Sequence, residues 1–205
     1  MTLTVSGPGG DDTETQSSLI QVEAGVETER FVTRITSTTG DSLVYGSYVY
    51  MSTKLSYIGI YNKKESHSTF WFAGVDIPQG AQIVGAWIRL PASQDLSTTC
   101  TAKIVGFDQN YASPVSRYAD WEIRPRTDAT VVWNMEPWLK GEWYSTPDVA
   151  SIVQEIIDRD GWRAGHALAF SIGPEPGTTG YRALYQRDQD YFSGAELTID
   201  YLPSD

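Results

Sequence analysis

Roughly ten short segments that alternate or run apolar, turn residues between them, and one amphipathic helical stretch predict an all-β fold. The predicted architecture is an antiparallel β-sandwich of jelly-roll type, with one short α-helix, about 147–159, capping its core. At 205 residues, 40% of them hydrophobic, the chain is long enough to bury a core as one domain. No repeat, low-complexity tract or composition break marks a linker. The expected division is an N-terminal arm or edge strand over 1–17 and a single sandwich domain over 18–205.

Residues 1–17 are polar and broken by Gly7-Pro8-Gly9-Gly10, with Asp11, Asp12 and Glu14 behind the break. Residues 18–23 alternate weakly, and 31–36 form a clearer strand closed by Thr39-Gly40-Asp41. The tyrosine-rich stretches 43–51 and 55–61 read as a hairpin with 52–54 at the bend. Residues 69–77 alternate around Phe70 and Phe72; a turn at Pro78-Gln79-Gly80 leads to strands at 83–90 and 99–107. Residues 108–128 lack a period and read as a long ordered loop. A short strand at 131–133 precedes an aromatic-rich loop at 137–144.

The helix is marked at both ends. Thr146 suits an N-cap, Pro147 the first helical position, and Asp148 the positive end of the dipole. Val149, Ile152, Val153, Ile156 and Ile157 make one apolar stripe, and Gly161 suits a C-terminal cap that needs positive φ. Residues 167–172 then run apolar like a buried strand, 173–180 form a Pro/Gly loop, and 181–186 and 195–201 are the last strands.

The formal charge is -11, from 15 Lys+Arg against 26 Asp+Glu. That argues against a nucleic-acid partner, which needs a basic footprint, and against adsorption to anionic lipid. No apolar run is long enough to cross a bilayer, so no membrane insertion is expected. Cys100 is the only cysteine, which excludes an intrachain disulfide. The opening MTLTVSGPGGDD lacks the basic and apolar regions of a signal peptide, so synthesis in a reducing cytoplasm is expected.

Candidate chemistry is sparse. Gly40-Asp41-Ser42-Leu43 spells the string of one esterase class, but a strand follows it and neither His67 nor His166 has an Asp three residues before it. A polar turn opening a strand is the reading. Asp108, Asp120, Glu122 and Glu136 are candidates for a glycosidase pair, and equally for solvated loop carboxylates. No catalytic residue is assigned. Asp11, Asp12 and Glu14 are the best ligands for a hard cation such as Ca2+, with a solvated acidic turn as the simpler alternative.

The aromatics are the strongest functional signal: seven Trp and 12 Tyr. Phe70, Phe72, Trp87, Trp133 and Trp162 fall at core positions. Tyr111, Tyr118, Trp121, Trp138, Trp143 and Tyr144 fall in loops, where rings stack on sugars, anchor a protein interface, or fold over the core. Arg124 and Arg126 can pair with acidic sugars or with neighbouring carboxylates.

The segments STFWFAGVDIPQGAQIVGAWIRL, RPRTDATVVWNMEPW, TPDVASIVQEIIDRDGWRAGHALAFSI and AELTIDY resemble jelly-roll domains of bacterial extracellular and surface proteins, similar to the DNRLRE-type carbohydrate-binding-module-like domains. The resemblance spans about 11–201. It implies a non-catalytic sandwich, with some relatives binding polysaccharide and often calcium. The tyrosine-rich 43–61 region is longer than the resemblance leads one to expect. An extracellular-type sandwich without a leader leads to the expectation of a virion protein: a capsid decoration, tail or fibre component, homo-oligomeric and docked on other virion proteins. The alternative is a glycan-binding module that recognises polysaccharide outside the cell or at its surface.

Overall fold

The computed structural model describes residues 2–7, 10–15, 27–190 and 192–204, the first two groups as backbone alone. Strands β1 (Thr2–Gly7) and β2 (Gly10–Thr15) pair as an antiparallel hairpin with Gly7 opposite Gly10. The strand expected at 18–23 and the division expected at residue 17 lie outside the described residues.

The rest forms two antiparallel sheets. The smaller runs β11 (Trp143–Ser145), β8 (Gln82–Pro91), β14 (Glu196–Leu202), β3 (Glu29–Arg34). The larger runs β10 (Arg126–Met135), β9 (Cys100–Phe107), β12 (His166–Pro174), β7 (Lys64–Val75), β4 (Asp41–Tyr45), β5 (Tyr48–Tyr50). Off its path, β6 (Leu55–Tyr61) pairs with both β7 and β13 (Tyr181–Tyr185). The chain crosses between sheets at β3 to β4, β7 to β8, β8 to β9, β10 to β11 and β11 to β12, and β14 closes in the smaller sheet. This interleaving is the expected jelly-roll sandwich, with β7 inserted between β4 and β12.

Alternation decides which side chains meet between the sheets. Leu197, Ile199 and Tyr201 of β14 face in, as do Phe70 and Phe72 of β7 and Ile104 of β9. β12 is buried along nearly its whole length because its other face is covered too, which is why its sequence reads as a continuous apolar run. Trp133 and Trp162 are core, as expected. Trp87 is not: between inward Ala86 and Ile88 it must face out, and it lies half-exposed on the smaller sheet.

The helix is observed as α2 (Ala150–Ile157), shorter than expected, with Ile152, Val153, Ile156 and Ile157 buried. Its expected caps do other work. Thr146 Oγ1 accepts from Ile88 N at 3.1 Å, and Asp148 Oδ1 accepts from Ala86 N at 2.9 Å as well as from Ala150 N at 2.8 Å. Gln154 Oε1 accepts from Ile83 N at 2.7 Å. These groups complete the edge of β8 where β11 does not reach it. Glu155 does the same for the other sheet, accepting from Asp128 N and Ala129 N, each at 2.8 Å, where β10 departs from regular register. The helix thus closes the side of the sandwich by supplying acceptors to both edges. Gly161 does not take positive φ; it is small because the Asn110 amide lies against it.

Two connections differ from expectation. Residues 43–61 are not one hairpin. Tyr45 and Tyr48 close a tight β4–β5 turn at Gly46, whereas β6 turns through Asn62 and Lys63, both at positive φ, into β7. The strand expected at 131–133 extends over all of β10, because β9 offers it a partner at nearly every step.

Candidate functional site

Paired residues share a face, so the register of β7 sorts the larger sheet into two sides. Phe70, Ser68 and Ser66 lie opposite Asp41, Leu43 and Tyr45 on the inner side. His67 and Thr69 lie on the outer side with Val44 and Ser42. A cleft opens on each side.

The inner cleft forms where the wider sheet extends past the narrower one. It encloses about 510 Å³ and is lined by Tyr45, Tyr50, Tyr57, Tyr61, Thr53 and Lys54 among others. That lies within the range of small-ligand pockets, roughly 300–1,000 Å³. Tyr57 and Tyr61 are stacked with centroids 3.9 Å apart at 8°, and Tyr181 stands edge-on to both. Residues four apart on a flat strand cannot touch this way. Gly59 between them has φ 112, and a Cβ there would overlap the backbone of Gly180 and Tyr181. Burial first, then the Tyr61 and Tyr181 hydroxyls beside it, pushes Tyr57 up to about 12, so its phenol stays neutral and able to donate. Lys64 lies 5.3 Å from the Tyr45 ring.

The outer side is roofed in part by residues 108–125, which hold a short helix, α1 (Tyr118–Ile123), where the sequence suggested only loop. Val115 and Ala112 pack with Phe107, Val44 and Ala169, and Tyr118 and Trp121 lean on the same cluster. Arg124 fastens the roof: it pairs with Asp120 and donates to Ser113 O at 2.5 Å and Pro114 O at 3.1 Å. Beside the roof lies a cleft of about 270 Å³ lined by His67, Lys103, Trp121, Arg126, Ser171 and Gly173 among others. A side chain at Gly173 would overlap the His67 ring, so the glycine admits the imidazole to the cleft. Burial first, then the Arg126 charge, pushes His67 down to about 4. Trp121 Nε1 donates to Ser171 Oγ at 3.4 Å.

The expected site residues are therefore divided. Tyr118, Trp121, Arg124 and Arg126 gather on the outer face, Arg124 as a buried fastener rather than a ligand group. Tyr111 is exposed nearby, edge-on to His166. Trp138 is corrected from loop surface to core: it is 0% exposed, its backbone pairs with Leu96, and it stacks on Tyr144 at 4.9 Å. Tyr144 accepts from Leu139 N through its hydroxyl. Trp143 lies on the outside of the smaller sheet with Arg34 and Arg89 within 5.5 Å of its ring. The side chains of Asp11, Asp12 and Glu14 lie outside the described residues, so the calcium expectation falls there too. Among the described residues no cluster of three His, Cys, Asp or Glu side chains is placed to hold a metal.

Ser42 Oγ shares a 2.7 Å hydrogen bond with Thr69 Oγ1, in keeping with a polar turn opening a strand. Asp108 is paired with Arg159, and Asp120 with Arg124. The tyrosine cleft was missed because those residues read simply as strand; their density was the available signal. His67 and Lys103 carried no such signal, since only strand pairing brings β7 and β9 to one cleft.

No family model matches the chain, and no curated protein matches it. Among solved structures, the chain is similar to the enzymatically active domain of tailspike protein 4 of bacteriophage CBA120, with 9% identity and a TM-score of 0.30. The match covers 77% of this chain, which spans 18% of that structure. The sheet-rich sandwich is shown by its strand pairing; the DNRLRE-type resemblance gains no support from these comparisons.

Proposed function

We propose that the protein is a non-catalytic binding module that holds a polysaccharide in the tyrosine cleft. The observation that carries this reading is the stacked Tyr57–Tyr61 pair, set in a cleft whose other walls are Tyr45, Tyr50, Thr53 and Lys54. Sugar rings present C–H faces and hydroxyl rims. Tyrosine answers both with an apolar ring and a polar tip, and Thr53 and Lys54 add further polar groups. The setting proposed with it is the outside of a virion, as a homo-oligomer beside other virion proteins, with a cell surface as the alternative. Its support is the resemblance of the sequence to extracellular sandwiches.

A glycan array with the purified chain tests the reading. The expected result is a neutral-sugar signal that Tyr57→Ala and Tyr61→Ala abolish while the thermal melt stays within a few degrees. No signal, together with a stable oligomer by light scattering, would move the function from sugar recognition to assembly.

A further inference from the structure

We infer that the outer-face cleft is a second binding site, which takes the carboxylate of an acidic sugar unit set in an otherwise neutral glycan. Arg126 is half-buried and held in place: it donates to the Trp121 carbonyl at 2.6 Å and to the Arg124 carbonyl, between the Phe107 ring at 4.6 Å and the Trp121 ring at 5.3 Å. Its guanidinium makes no ion pair among the described residues, in a chain carrying 26 acidic side chains against 15 basic ones. Asp120, whose charge reaches Arg126, is already bound to Arg124. A half-buried cation with fixed geometry and no ion pair of its own is a ready partner for an incoming anion.

The other walls narrow the class of anion. Lys103 stands exposed at the cleft and is likewise without an ion pair among the described residues. Glu65 is on the rim 3.8 Å from His67 and largely in solvent. Ser171 and the neutral His67 supply hydrogen-bonding groups, whereas Trp121, Val105 and Pro174 are apolar. Such walls suit a carboxylate carried on a ring better than a bare ion. The net charge of -11 repels a densely charged polymer, which favours an isolated acidic unit. The site lies across the sheet from the tyrosine cleft and does not depend on it.

The test is calorimetric titration with a short oligosaccharide carrying one glucuronic acid, against the same oligosaccharide with glucose in its place. The acidic ligand is expected to bind about tenfold more tightly or better, as one charge-assisted contact would give. Lys103→Glu and Arg126→Gln are expected to erase that difference, and Tyr57→Ala to leave it intact. Lys103 is exposed on its strand, so its variant carries the test if the roof does not tolerate Arg126→Gln. Equal binding of the two oligosaccharides, equal binding of plain acetate, or wild-type affinity in Lys103→Glu would each overturn the inference.

Discussion

Asp41→Asn is expected to stabilise this protein at neutral and alkaline pH and to leave it unchanged in acid. Asp41 is 2% exposed at the start of β4; its Oδ2 accepts from Arg187 N at 2.8 Å, and its Oδ1 has no partner. Burial is the largest influence on its carboxyl, and Asp188 adds like charge; together, against the Arg187 amide, they raise it from 3.8 to about 7. The folded chain therefore holds this proton more tightly than the unfolded one. The stability tied to it is complete below about pH 4 and is lost as the pH rises through about 7. A shift of about three units corresponds to about 4 kcal/mol. Asparagine keeps an oxygen for the Arg187 amide and has no charge to bury. At about 2–4 °C per kcal/mol for a chain this long, the variant should melt about 10 °C above wild type at pH 8 and level with it at pH 4. Melts of both proteins from pH 4 to 8 at constant ionic strength give the difference curve. A flat difference, or a less stable variant at pH 8, would refute the reasoning.

Two further outcomes follow from buried polar contacts. Arg182 is 1% exposed and donates five hydrogen bonds, all to backbone carbonyls: those of Thr98, Met135, Glu136 and Tyr181. Arg182→Met should cost about 4 kcal/mol or more by stranding these acceptors, seen as a melting point lowered by about 10 °C; a drop of a degree or two would count against it. Glu155→Ala should cost about 2 kcal/mol, and hydrogen exchange at the Asp128 and Ala129 amides should speed up ahead of their neighbours; unchanged exchange there would show that Glu155 does not complete the β10 edge.

The sequence carried the helix because its stripe, Ile152, Val153, Ile156 and Ile157, is a local signal with a fixed period. It did not carry what Thr146 and Asp148 bind. Both look like ordinary capping residues, but the edge of β8, some 60 positions earlier, takes the Thr146 hydroxyl and shares the Asp148 carboxylate with the helix start. Trp138 was misplaced for a similar reason: its neighbours read as loop, while its burial comes from Leu96 and Tyr144. α1 had no period to find, since none of its residues is fully buried and it is held by Arg124 rather than by an apolar stripe. Of the candidate sites, Trp121 and Arg126 were legible as unusual loop residues. Their partners His67 and Lys103 were not, because facing positions on separate strands leave no spacing in one dimension.

Both clefts hang on the register of a single strand. β7 sends Ser66 and Ser68 to the side of the tyrosines and His67 to the side of Trp121 and Arg126. A slip of one residue would exchange these sets and place an imidazole in the core. What prevents the slip is local: the two-residue turn at Asn62 and Lys63, with φ 46 and 64, sets Tyr61 opposite Lys64. Asparagine tolerates that conformation well, and lysine adopts it only at some cost in strain. The stacked tyrosines of β6 therefore sit a few residues from the strained turn that fixes them. The lining of the inner cleft comes from the single stretch 43–61, with β13 packed behind its stacked tyrosines, whereas the outer cleft draws its lining from β7, β9, β12 and the end of the 108–125 roof.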